Sequence, residues 1–151
     1  MSDYPYSSSL AAIFAALPEL TLAYLFGSRA RGEAGPLSDY DFAVLLSWSP
    51  DVTMRRGELR SRLAHQLASA LDLPGEGVDL VILNRAPIEL AYAVVAEGRL
   101  VFERDVASRV EYEAYVLGRY GDYLSVLRAQ RREILEGGDY EARAERYREA
   151  F

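Results

Sequence analysis

At 151 residues, half of them hydrophobic and none of them cysteine, the chain is sized for one cored domain and excludes disulfides, thiolate metal sites and cysteine nucleophiles. All 17 basic residues are arginine, so no lysine serves a P-loop or a Schiff base, and His65 is the only imidazole. The formal net charge of −6 argues against a general nucleic-acid binder, and no direct nucleic-acid contact is expected.

The first apolar block, Leu10 to Leu17, is closed by Pro18, with Ser7 to Ser9 as candidate caps, and predicts a short helix. Leu20 to Phe26 is a compact apolar run ending at Gly27-Ser28, which predicts a buried strand. Gly32 to Ser38, with two glycines and a proline, predicts a loop, and Asp39 to Leu46 a second strand. Their short connection makes these strands neighbours, in an antiparallel pair if they form a hairpin.

From Asp51 to Leu71, Val52, Leu59, Leu63, Leu67 and Leu71 fall mostly at four-residue spacing and predict an amphipathic helix. On that helix His65 faces away from the apolar stripe and reads as a surface histidine. Pro74-Gly75 breaks the helix, and Gly77 to Leu83 predicts a third strand. Pro87 opens a helix that runs to Gly98, Arg99 to Glu103 predicts a fourth strand, and Val106 to Leu135 one long helix with a bend near Gly118 or Gly121. Gly137-Gly138 ends it, and Asp139 caps a last short helix. The class is α/β (α+β), a small mixed sheet flanked by helices. No run of 18 apolar residues predicts a membrane span, the first nine residues lack the basic start of a secretory signal, and the cytoplasm is the default compartment.

The chemistry concentrates between Phe26 and Phe42. Asp39 and Asp41 are alternate residues of a predicted strand, so their carboxylates share one face about 7 Å apart. Like charges at that spacing repel unless neutralised, and Mg²⁺ accepts one or two carboxylates together with substrate phosphate oxygens. Gly27 lets the backbone approach a ligand closely. The N–H groups after Ser28 and the Ser28 hydroxyl can meet a phosphate, and Arg29 and Arg31 can add charge-assisted contacts. Asp79 opens an otherwise apolar strand; beside Asp41 it would hold a second metal ion or accept a proton from an attacking hydroxyl. This is equipment for phosphoryl or nucleotidyl transfer.

Gly27-Ser28, ten intervening residues, Asp39-Tyr40-Asp41 and a third acid on a later strand resemble the signature of the DNA polymerase β-like nucleotidyltransferase superfamily. The resemblance covers residues 20 to 83, and the order of elements agrees beyond it. It implies a nucleotidyltransferase core over residues 1–104, with residues 105–151 as a C-terminal helical extension of the same domain. Within the superfamily the short length resembles the minimal nucleotidyltransferases, antitoxins of HEPN/MNT toxin–antitoxin pairs. That resemblance implies transfer of AMP from ATP to a tyrosine of a HEPN-domain RNase toxin, with the toxin as hetero-oligomeric partner. It further implies Mg²⁺, in a two-ion site, on Asp39, Asp41 and Asp79, and nucleotide contacts from Gly27, Ser28 and Arg29.

Two other functions compete. A small-molecule, aminoglycoside-type nucleotidyltransferase usually carries a second domain for its acceptor, whereas only about 50 residues follow the last predicted strand here. A non-catalytic toxin-binding module has no need of intact acids at all three positions. Glu33, Glu76, Arg85 and the Arg128, Arg131 and Arg132 group read as solvated charges. Tyr112, Tyr115, Tyr120 and Tyr123 read as packing or interface residues of the long helix.

Overall fold

A four-stranded mixed sheet organises the computed structural model, which describes residues 7–33, 35, 39–73 and 77–136. The strands are β1 (Leu20–Phe26), β2 (Tyr40–Leu46), β3 (Val78–Ile82) and β4 (Arg99–Glu103), in the spatial order β3-β2-β1-β4. β1 is antiparallel to both β2 and β4, while β2 and β3 are parallel. The helices are α1 (Ser7–Ala15), α2 (Pro50–Ala70), α3 (Ile88–Glu97) and α4 (Val106–Glu136). A parallel pair needs a crossover, and α2 supplies it between β2 and β3.

The chain divides into two compact units, Met1–Val116 and Leu117–Phe151. In the first, strand alternation sends two sets of side chains to two cores. Tyr40, Phe42, Val44 and Leu46 join Leu10 and Phe14 of α1 and Leu59, Leu63 and Leu67 of α2. Ala43 and Leu45 join Ala91 and Val94 of α3 and Tyr112 and Val116 of α4. β1 serves both cores, and a register irregularity between Leu20 and Leu22 shifts its alternation, so that Leu20 and Ala23 share a face while Leu22 and Tyr24 take the other. The apolar stripe of α2 is buried throughout, and His65 is exposed on its far side. In the second unit, the described part of α4 is solvent-rich, and Arg128, Arg131 and Arg132 are exposed.

Several boundaries differ from expectation for local reasons. The serines at 7 to 9 are inside α1 rather than capping it. Ser49 caps α2, its hydroxyl accepting from the Val52 N–H at 3.2 Å, with Pro50 at the first helical position. Pro87 precedes α3 as its cap residue instead of starting it. Gly118 and Gly121 lie inside one continuous α4. The expected break at Pro74-Gly75, the solvated Glu76 and the last helix beyond Gly137-Gly138 lie outside the described residues.

Long-range polar contacts close the ends of these elements. The Arg104 guanidinium donates to the carbonyls of Leu17 at 2.8 Å and Leu20 at 2.9 Å and reaches that of Phe14 at 3.4 Å, so one cation serves the carbonyl end of α1. Arg104→Ala is expected to destabilise the fold by about 1–2 kcal/mol, because those carbonyls lose a charged donor. Chemical denaturation checks this; an unchanged midpoint would assign α1 docking to apolar packing alone. The Tyr24 hydroxyl donates to Glu113 at 2.9 Å, and Arg109 joins Glu113 to Glu103. Burial and the neighbouring Glu113 raise the Tyr24 phenol well above its ordinary pKa, so it stays a donor that holds the first turns of α4 to β1.

Candidate active site

The parallel register places Asp41 directly beside Asp79, and the antiparallel register places it opposite Phe26, the residue before Gly27. Three strand ends, the close of β1 and the starts of β2 and β3, therefore meet at Asp41. The Tyr40 N–H donates to the Gly77 carbonyl at 3.0 Å, which pins the two strand starts together. Asp41 shares the face of Ala43 and Leu45, and Asp79 that of Val81. Asp39 is one residue before β2 and exposed, Asp79 is exposed, and Asp41 is partly buried.

The electrostatics reflect this geometry. Burial first, then the charges of Asp79 and Asp39, raise the Asp41 carboxyl above its ordinary pKa, and Arg31 opposes them. The three expected acids thus act on one another. Arg31 is also ion-paired with Glu33 at 3.0 Å, so Glu33 is tied to the turn although it is largely exposed.

Gly27-Ser28-Arg29 forms a single 3₁₀ turn directly after β1. The Ala30 and Arg31 N–H groups both donate to the Gly27 carbonyl at 3.2 Å. Gly27 has φ of +73°, a conformation that L side chains rarely adopt. A Cβ at Gly27 would also overlap Oδ2 of Asp41 and lie 3.2 Å from its Cγ. The glycine thus removes the atom that would occupy the space of the Asp41 carboxylate. Ser28 is half-buried on the turn, and the Arg29 guanidinium carbon lies 4.2 Å from the centre of the Tyr40 ring.

Sequence reasoning did not find Arg99. From the first position of β4, its Nε donates to the Ala30 carbonyl at 3.1 Å and fastens the far side of the Gly27–Arg29 turn to the sheet. An arginine opening a short strand carries no spacing signal for that contact. Asn84 was missed too: its side-chain amide accepts from the Leu46 N–H and donates to the Leu46 carbonyl, both at 2.8 Å, closing the other end of β2. Arg85, on the 3₁₀ turn after β3, is exposed.

The donor set is all carboxylate oxygen, the chemistry that Mg²⁺ prefers. Among the described residues, no three acid, histidine or cysteine side chains are gathered closely enough to hold a metal ion by themselves. That openness fits an ion that takes one or two carboxylates and completes its shell from water and phosphate. Gly27 keeps the space beside Asp41 clear of a side chain.

The chain matches a family model described as Polymerase beta, Nucleotidyltransferase over residues 8–107. It is 42% identical over 83 residues to the protein adenylyltransferase MntA of Shewanella oneidensis, covering 55% of this chain and 54% of that one. The chain therefore matches about half the length of that curated relative. A crystal structure of a toxin–antitoxin with AMP-PNP is similar with a TM-score of 0.65 at 30% identity, covering 87% of this chain and 96% of that one. The structure of tri-AMPylated Shewanella oneidensis HEPN toxin in complex with MNT antitoxin is similar with a TM-score of 0.59 at 29% identity, covering 87% and 93%.

Proposed function

The chain belongs to the polymerase beta nucleotidyltransferase family, and on that premise we propose that it is an adenylyltransferase antitoxin that moves AMP from ATP to a tyrosine of a HEPN-domain toxin in the cytoplasm. The observation that carries the reading is Asp41, set beside Asp79 on one strand and against the side-chain-free Gly27 on the other. The AMPylated toxin and the AMP-PNP complex among the similar structures support adenylyl as the group and a toxin as the acceptor.

In this reading residues 1–104 hold the chemistry, and residues 105–151 extend the same domain. Asp39, Asp41 and Asp79 hold Mg²⁺, which supplies the positive charge that a triphosphate needs beside three carboxylates. The Gly27 turn brings its backbone against the triphosphate, the Ser28 hydroxyl donates to a phosphate oxygen, and Arg29, seated over Tyr40, adds its charge to the same cradle. Asp79, at the exposed rim, accepts the phenolic proton as the toxin tyrosine attacks the α-phosphorus. The new bond joins the tyrosine oxygen to that phosphorus, the bond to the β-phosphate bridge breaks, and diphosphate leaves.

Mass spectrometry of the toxin, after incubation with this protein, ATP and Mg²⁺, tests the proposal. Addition of one or more adenylyl groups to tyrosine is expected. An unmodified toxin in an intact complex would leave neutralisation by contact alone and overturn the enzymatic reading. Ser28→Ala is expected to lower kcat/KM for ATP by about tenfold, the scale of one lost hydrogen bond to a charged oxygen. Steady-state kinetics at varied ATP check it, and an unchanged value would remove Ser28 from the nucleotide site.

A further inference from the structure

A cavity of about 580 Å³ opens at the other end of the sheet, bordered by Leu45 and Leu46 at the close of β2. Asp41 starts the same strand, five residues before Leu46, or about 17 Å away along an extended backbone. The cavity is therefore separate from the carboxylate site. Its functional lining comes from Trp48, after β2, and from Ser108, Glu111, Tyr112 and Tyr115 on the first turns of α4.

Three independent features point to a ligand. Trp48 and Tyr115 are 72% and 57% exposed, a large aromatic surface for neighbouring walls of one cavity. Tyr112 is 8% exposed, yet its buried hydroxyl has no hydrogen-bond partner in the structure. Buried hydroxyls without partners are uncommon and costly, so this one is poised for a group that arrives from outside. Finally, Glu111 is the one charged residue of the lining, and no basic residue accompanies it.

The geometry points to a binding site for an arginine side chain presented by a partner protein. A guanidinium is planar, stacks on indole and phenol faces, and has five N–H donors for carboxylate and hydroxyl oxygens. Glu111 supplies the opposite charge, the Tyr112 hydroxyl an acceptor lone pair, and Trp48 and Tyr115 the π faces. The volume is that of an ordinary ligand cleft. Aromatic side chains facing an arginine are also the usual composition of the energetically dominant part of a protein interface. Ser108 is a wall rather than a free donor, because its hydroxyl already donates to Asp105 at 2.9 Å. Tyr112 stays protonated, burial having pushed its pKa up to about 12, so its oxygen remains a neutral acceptor.

Trp48 is the only tryptophan of the chain, so indole emission reports on this cavity alone. The full-length protein is titrated with a short capped peptide carrying one arginine, and with the same peptide carrying uncharged citrulline. A saturable emission change is expected with the arginine peptide, with at least roughly tenfold weaker binding of the citrulline peptide and of the arginine peptide to Glu111→Gln. Tyr112→Phe keeps the ring packing and is expected to weaken the arginine peptide about threefold or more, the loss of a single neutral hydrogen bond. Thermal unfolding of both variants verifies that the fold is retained. Equal affinity for the two peptides, or an unaltered titration in Glu111→Gln, overturns the proposal. Saturation by free N-acetylarginine amide as tightly as by the peptide assigns the site to a small molecule and overturns the protein source. Self-association of the wild type that Glu111→Gln abolishes makes a second copy the occupant, with the same consequence.

Discussion

Gly27→Ala is expected to reduce nucleotidyl transfer by at least about 100-fold, the scale at which a misplacement of about 1 Å acts on an oriented reaction. Two effects combine at this position. The backbone φ of +73° strains any residue with a Cβ, by about 1–2 kcal/mol. The added methyl would also collide with Oδ2 of Asp41, so either the carboxylate rotates away or the turn lifts off β2. Gly32 separates the two effects. Its φ is +72°, but a Cβ there meets no atom within 4 Å. Gly32→Ala is therefore expected to lose a similar amount of stability while keeping its rate. Transfer assays and thermal unfolding of both variants decide the matter: equal loss of activity in the two would mean that backbone strain, not the Asp41 contact, is what matters at Gly27.

Asp41→Asn is expected to lower transfer by about 10³-fold or more, in the range of removing a group that stabilises charge in the transition state, while raising the melting temperature of the metal-free protein. The direction of the second effect follows from linkage. The folded Asp41 carboxyl titrates above its unfolded value because of burial and the Asp79 and Asp39 charges. The folded state therefore binds this proton more tightly. That contribution to stability is complete below the unfolded pKa and is lost as pH rises through the folded one. At neutral pH the wild type carries the full repulsion, whereas asparagine does not. The expected rise is about 1–3 °C for a chain of this size. Millimolar Mg²⁺ should raise the wild-type melting temperature as well, and that of Asp41→Asn less. A variant that melts below the wild type in metal-free buffer would contradict the carboxylate repulsion.

Much of the sheet and the acidic constellation was legible because local patterns specify them. β1 and β4 have the bounds that their apolar runs predict, and the α2 stripe is buried as its spacing requires. Asp79 beside Asp41 was only a conditional expectation, since strand pairing is non-local; the register supplies it. Gly27 was legible as a turn residue, but its need to make room for Asp41 was not, because that contact depends on how two strands end. Arg99, Arg104 and Asn84 act across 38 to 87 residues of sequence through single side-chain bonds, which leave no periodic trace. The α4 tyrosines divide for a similar reason: Tyr112 and Tyr115 are one turn apart, yet only the first packs under the sheet.

The strand order has a consequence for biosynthesis. β1, β2 and β3 are complete by residue 82 and carry the whole acidic cluster, whereas β4 joins an open flank of β1 and is the last strand to be made. A chain that emerges from the ribosome N-terminus first can set its acids in register before that flank is sealed. Until Arg99 arrives to fasten the turn, however, the nascent protein has its carboxylates in place but lacks the tie that steadies the loop facing them.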